Sequence, residues 1–182
     1  MVKFIGWAGS LRDGSYSQSA LDIAIAKAAA QEVTVERLDL RQMTLPFCTG
    51  AESYPDYPDV ETFRAKVKEA DGILLVTPEY HGSVSGVLKN SLDLLSFEHL
   101  SGKVVAMMSV LGGQTNSNAL NDLRVILRWV HAWVIPEQVA IGQAWQAFTP
   151  EGQLSDPKLD ERVDKMIASW IQTTRKLREA SA

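Results

Sequence analysis

The 182-residue chain has a single cysteine, Cys48. That excludes intrachain disulfides and multi-cysteine metal sites, and Cys48 reads as an inert thiol rather than a nucleophile. Long apolar runs are missing: none approaches the ~20 residues of a membrane span, and no charged-then-apolar leader opens the chain. There is no basic surplus either. Eighteen Lys and Arg stand against 22 Asp and Glu, for a net charge of −4, which leaves no excess to neutralise a nucleic-acid backbone. The three histidines do not combine with carboxylates at metal-ligand spacing, and His99 and His131 read as structural or surface residues. Repeats and low-complexity linkers are absent. These absences predict a cytoplasmic protein of one domain, 1–182, with neither nucleic acid nor membrane as partner.

What is present is alternation. Apolar runs at 2–8, 33–39, 72–77, 103–110 and 134–141 read as strands, and helical patterns lie between them, which predicts an α/β fold with a parallel sheet. Gly72 to Thr77 and Val104 to Met108 are nearly unbroken apolar runs, as suits strands covered on both faces. Val33 to Arg37 is mixed and Pro136 interrupts the fifth run, so both belong at sheet edges. Helical stripes run through Leu21, Ala24, Ile25 and Ala28; through Val84, Val87, Leu88, Leu92 and Leu95; and through Ala119, Leu120, Leu123, Ile126, Leu127 and Val130. Asp156-Pro157 announces a last helix by an N-cap residue followed by proline at the first helical position. Residues 41–58 are irregular. Five strands with edges at the second and fifth fit the order 2-1-3-4-5. Ligands of such sheets bind where the order reverses, at the loops after strands one and three.

The first of those loops is Gly9-Ser10-Leu11-Arg12-Asp13-Gly14-Ser15-Tyr16-Ser17. Gly9 and Gly14 have P-loop spacing, but Ser15 stands where the lysine of G-x-x-x-x-G-K-[ST] belongs, so no cation reaches β and γ phosphates. G-x-G-x-x-G is absent too. Hydroxyls, one guanidinium and a helix N-terminus remain, and these suit one terminal phosphate. The alternative is a serine-rich capped turn with Arg12 in solvent. The second loop is Thr77-Pro78-Glu79-Tyr80-His81-Gly82-Ser83-Val84-Ser85-Gly86-Val87-Leu88-Lys89-Asn90. Pro78 is expected to end the strand, and Gly82 and Gly86 to let backbone approach a ligand. Tyr80 offers a flat surface, Glu79 reads equally as a helix-side charge, and Lys89 and Asn90 read as structural.

Together these loops resemble the NADPH-dependent FMN reductase family of the flavodoxin-like fold. The family's first loop reads G-S-[LIT]-R-x-x-S-x-N, and its second reads T-P-E-Y-[NH]-x-[ST]-x-x-[GA]-x-L-K-N. Gly112-Gly113 leading to Asn118-Ala119-Leu120-Asn121-Asp122-Leu123-Arg124 looks like the azobenzene and quinone reductase branch. The resemblance extends to about residue 141, and Ser17 departs from it, since many members carry Asn there. It implies a flavodoxin-like three-layer sandwich with a five-stranded parallel sheet. It also implies that Ser10, Arg12, Ser15, Ser17 and Gln18 hold the FMN phosphate. Pro78, Glu79, Tyr80, His81 and Gly82 would run along the isoalloxazine, and Leu111, Gly112 and Gly113 would close its other edge. The implied activity is hydride transfer from NADPH or NADH to bound FMN, then ping-pong reduction of quinones, azo compounds or other small electron acceptors. No side chain acts as a catalytic acid, base or nucleophile, because the flavin carries the chemistry. A flavodoxin-type electron carrier without reductase activity is the alternative. The aromatic loop 41–58 and the tryptophans Trp129, Trp133 and Trp145, read as a cluster, call for cover by a homodimer or homotetramer.

Overall fold

The computed structural model describes residues 2–114 and 117–180. A parallel sheet is built on β1 (Phe4–Ala8), β2 (Val35–Arg37), β3 (Gly72–Tyr80) and β5 (Val104–Val110), in the order β2-β1-β3-β5. The fifth sequence run is two short strands rather than one. β6 (Trp133–Val134) and β7 (Val139–Ile141) both pair with β5, at its start and at its end. Pro136 lies in the gap, where it cannot donate to a ladder. The Arg124 guanidinium covers the break, donating to the carbonyls of Ile135 and Pro136 at 3.0 and 2.9 Å and to Gln138 Oε1 at 2.7 Å. The expected 2-1-3-4-5 core thus holds, with its last position shared. A two-residue strand β4 (Ser83–Val84) adds an antiparallel hairpin to β3.

The period-two alternation of the strands divides the core. Phe4, Ala8, Leu74, Val76, Val104, Ala106 and Met108 face α1 (Tyr16–Ala29) and α7 (Pro157–Ala180). Ile5, Trp7, Ile73, Leu75, Val105 and Met107 face the other way, toward α2 (Pro58–Glu69), α3 (Gly86–Asp93) and α5 (Asn118–Trp129). Two short helices, α4 (Phe97–Leu100) and α6 (Ala144–Ala147), and a 3-10 turn at Leu40–Gln42 complete the described elements. α7 begins as its sequence announces, with Asp156 Oδ1 accepting the Lys158 N–H at 2.9 Å.

Three details differ from the sequence reading. α2 has only Val60, Phe63 and Val67 buried, too sparse a stripe among charges to stand out. Val84 falls outside α3 because Ser85 caps that helix by accepting the Leu88 N–H at 3.1 Å, and Leu95 because the helix ends at Asp93 with Leu94 as its C-cap. Pro78 does not end its strand. β3 runs on to Tyr80, and Pro78 pairs with Val110. By the alternation of a parallel strand, the Pro78 nitrogen faces β1, as Val76 does, and β1 pairing stops at Ala8 opposite Val76. The missing N–H therefore removes no ladder bond.

Candidate cofactor site at the switch point

β1 and β3 lie side by side, and α1 and α3 leave them toward opposite faces, so a crevice opens at their carboxyl ends. The loop from Gly9 to Gly14 forms one wall. Gly9 is fixed by a close approach: a Cβ there would sit 2.5 Å from Leu88 Cβ and 2.6 Å from Ser85 Oγ. Its carbonyl accepts from the Ser85 hydroxyl at 2.6 Å, which ties this loop to α3. Gly14 has φ 63°, and Ser15 follows as the N-cap of α1, accepting the Ser17 N–H at 3.2 Å. Ser10, Ser15 and Ser17 are all buried. Among the described residues, the hydroxyls of Ser10 and Ser17 have no protein hydrogen-bond partner. Gln18 is buried as well, but its amide is engaged: Nε2 donates to the Ser10 carbonyl at 2.7 Å and Oε1 accepts from Arg37 at 2.6 Å. Arg12 is exposed, 5.9 Å from the Tyr16 ring centre. Tyr16 in turn stacks on Phe148 at 5.2 Å.

The second wall is the β3–β4 hairpin. His81 and Gly82 occupy its two turn positions with φ 53° and 77°. Positive φ at both positions is the geometry of a type I′ turn, which matches strand twist and favours Asn-Gly. This explains Gly82, whereas a Cβ on Gly86 would meet open space. Glu79 is 4% exposed and turns to the helix side. Its Oε2 accepts the Ala119 N–H at 3.2 Å, so it supplies at the positive end of α5 the cap that Ser117 does not make. Its Oε1 is buried with no partner among the described residues. Nearby, Ser83 donates to Asp122 at 2.7 Å, a second link between hairpin and α5. Lys89 pairs with Asp93, and Asn90 holds the backbone of Pro46 and Cys48, which are structural roles.

The third wall follows β5. The Leu111 N–H donates to Ile141 at 2.8 Å, Gln143 donates to Gly113 at 2.6 Å, and Ala144 donates to Leu111 at 3.0 Å. These bonds lock the segment against the end of β7. A Cβ on Gly112 would meet nothing within 4 Å, and the N–H groups of Gly112 and Gly113 have no partner among the described residues. The three walls enclose a cleft of about 180 Å³. Ser10, Arg12, Ser15 and Ser17 line it from the first loop, Pro78 and Tyr80 from the second, and Gly112 from the third. Glu79, His81, Gly82, Leu111, Gly113 and Gln18 are not among the residues that line it; Glu79 and Gln18 are buried, whereas His81, Gly82 and Gly113 are exposed. Tyr16, Val110, Ala144 and Trp145 complete the lining and were not among the residues that the sequence assigned to the cofactor. Tyr16 lies inside the phosphate-loop motif itself, but the other three come from elements whose approach is set only by folding.

Tyr80, 53% exposed, also lines a second, more apolar cleft of about 390 Å³ with Leu11, Met43, Leu45, Phe47 and Val87. The irregular stretch 41–58 thus forms one side of an apolar shelf beside the first cleft. The three tryptophans do not cluster. Trp145 is at the carboxyl end of the sheet, whereas Trp133 pairs with Val104 at the other end and Trp129 closes α5. All three are more than half exposed, while Trp7 and Trp170 fill the core.

Buried serines whose hydroxyls lack protein partners, one exposed guanidinium and a helix N-terminus form a donor set for a phosphate monoester. The adjoining open glycine backbone and Tyr80 form a bed for a flat ring. The residues present therefore fit FMN. A sequence model of the NADPH-dependent FMN reductase family matches residues 2–146. The chain is 34% identical over 183 residues to an NAD(P)H-dependent FMN reductase of Pseudomonas aeruginosa, covering 97% of each. It is 43% identical over 118 residues to an NADPH azoreductase of a Bacillus species, covering 64% of this chain and 66% of that enzyme. Its fold superposes on FerB, a flavoenzyme NAD(P)H:acceptor oxidoreductase from Paracoccus denitrificans, with a TM-score of 0.77 at 22% identity, covering 96% of this chain and 99% of that one. The chain belongs to the NADPH-dependent FMN reductase family.

Proposed function

We propose that this protein is an FMN-dependent NAD(P)H oxidoreductase that passes electrons to quinones, azo compounds or other small acceptors. The observation that carries this reading is a single cleft lined jointly by the loops after β1, β3 and β5, with buried serine hydroxyls at one end and an exposed tyrosine at the other. Ser10, Ser15, Ser17 and Arg12 hold the phosphate, each charge-assisted contact contributing about 1.5–3 kcal/mol. Gln18 braces the loop from behind. Pro78 and Tyr80 support the ring, Glu79, His81 and Gly82 fix the backbone that presents them, and Leu111, Gly112 and Gly113 form the far edge. When bound, FMN supplies hydride acceptance from a nicotinamide and two-electron delivery to an acceptor. The unpaired N–H groups of Gly112 and Gly113 are donors preorganised toward negative charge on that edge. No residue of the cleft needs to exchange a proton with substrate for this chemistry.

The apolar shelf beside Tyr80 favours flat acceptors that stack rather than acceptors recognised by many hydrogen bonds. Its Phe47 is 85% exposed and Leu11 is 52% exposed, which supports a homodimer or homotetramer that covers the shelf. Light scattering is expected to give a particle heavier than the 20.0 kDa chain, and a monomer would contradict this. The free thiol of Cys48 suits a cytoplasmic setting. Steady-state kinetics tests the function. With NADPH varied at several fixed quinone concentrations, one cleft serving both substrates in turn gives parallel double-reciprocal lines. Absence of turnover unless a separate reductase is added would make the protein an electron carrier instead.

A further inference from the structure

A second guanidinium lies behind the phosphate loop. Arg37 sits at the end of β2, in register with Gly6. Its side chain crosses to α1, forms an ion pair with Asp22 and donates to Gln18 Oε1 at 2.6 Å. Its Nε is buried without a partner among the described residues. Gln18 is 5% exposed and passes the contact on, with Nε2 donating to the Ser10 carbonyl at 2.7 Å.

We propose that Arg37 is a positioning residue for the phosphate loop, acting through Gln18 on the Ser10–Leu11 peptide. A glutamine amide can be turned end for end, and one orientation would set its oxygen against the Ser10 carbonyl oxygen. An arginine only donates. Beside Arg37 the Gln18 oxygen is therefore claimed, and the amide nitrogen must face Ser10. The Ser10–Leu11 peptide is planar and trans, so its C=O and N–H point in opposite directions. Holding the carbonyl from behind fixes that N–H and the Ser10 side chain at the front of the loop, where Ser10 lines the cleft. Asp22 neutralises the Arg37 charge. Arg37 thus works by orientation, whereas Arg12, which lines the cleft without an ion-pair partner among the described residues, works by charge.

This inference rests on the cleft being an FMN phosphate site. The test is the dissociation constant of the full-length protein for FMN and for riboflavin, which lacks the phosphate, measured by flavin fluorescence. Arg37→Met is expected to weaken FMN about tenfold, the equivalent of one charge-assisted hydrogen bond. Riboflavin affinity should stay within about twofold. Arg37→Met added to Gln18→Met should weaken FMN no further than Gln18→Met alone, because both lie on one path. Asp22→Asn, which removes the ion pair and spares the Gln18 contact, should bind FMN like the wild type. The salt dependence of FMN binding should be unchanged in Arg37→Met, since no direct phosphate contact is lost. Arg37→Lys keeps a donor for Gln18 and should restore most of the affinity, which keeps the test open if Arg37→Met does not fold. Equal losses for both flavins, additive effects of the two substitutions, or unchanged FMN affinity in Arg37→Met would overturn the proposal. Failure of the wild type to prefer FMN over riboflavin would instead overturn the phosphate site itself, and the proposal with it.

Discussion

The Ser85 hydroxyl donates to the Gly9 carbonyl at 2.6 Å while its oxygen accepts the Leu88 N–H at 3.1 Å. One buried side chain therefore caps α3 and ties it to the phosphate loop, so the two loops of the switch point are positioned as a unit. Thr77 reinforces the junction by accepting the Ser85 N–H at 3.1 Å.

The first prediction concerns that junction. Gly9→Ala places a methyl 2.5 Å from Leu88 Cβ and 2.6 Å from Ser85 Oγ. Neither neighbour is the free end of a long side chain, so the loop and α3 must separate. Overpacking of this kind costs about 1–3 kcal/mol. Thermal unfolding should shift down by roughly 2–4 °C for each kcal/mol lost, and FMN should bind more weakly. An unchanged melting temperature with unchanged FMN affinity would show that the contact does not set the loop.

The second concerns Arg12, exposed and resting against Tyr16. Arg12→Ala should weaken FMN by about 1.5–3 kcal/mol, the worth of a charge-assisted contact, and leave riboflavin unaffected. The loss should shrink as salt rises, because an exposed guanidinium is screened. Equal loss for both flavins would refute the phosphate role.

Much of this arrangement is legible in the sequence, for identifiable reasons. β3 and β5 are covered on both faces, so their apolar runs are unbroken and their positions stand out. The phosphate loop is legible because its chemistry is local: the hydroxyls, the glycines and the helix start lie within nine residues, Gly9 to Ser17. What is not legible depends on distant chain. Nothing near Pro78 shows that β1 stops before needing its N–H. Glu79 reads equally as a flavin contact and as a helix-side charge, and only the fold shows that α5 places the Ala119 N–H against it. Ala144 and Trp145 reach the site from α6 and Arg37 from β2, and no local pattern marks them. Trp133 and Trp145 are close in sequence, but β6 and β7 pair with opposite ends of β5 and so separate them along its length.

The third prediction concerns pH. His99 Nδ1 accepts the Ser96 N–H at 3.0 Å in a capping box at the start of α4. Burial pushes its pKa below the ordinary histidine value, with Arg64 and Lys68 acting in the same direction and Glu98 and Glu61 against it. The unfolded chain therefore binds this proton more readily than the folded one. The contribution of His99 to stability is complete above its ordinary value, about 6.5, and is lost as pH falls through the lower folded value. Protonation of Nδ1 also removes the acceptor that the Ser96 N–H needs. His99→Gln keeps an acceptor at the capping position and cannot titrate. Relative to that variant, the wild type should lose stability in urea titrations on going from pH 7 toward pH 5. Parallel pH profiles for the two proteins would contradict this.

The central claim is that this chain carries the reductase reaction by itself. Its most direct test is anaerobic mixing of the FMN-loaded protein with NADPH, and separately with NADH, in a stopped-flow spectrophotometer with no second protein present. The expected result is loss of the flavin absorbance near 450 nm at a rate that rises with nicotinamide concentration, followed by its return when a quinone is added. Flavin that stays oxidised with both nicotinamides, while the protein still binds FMN tightly, would contradict the claim.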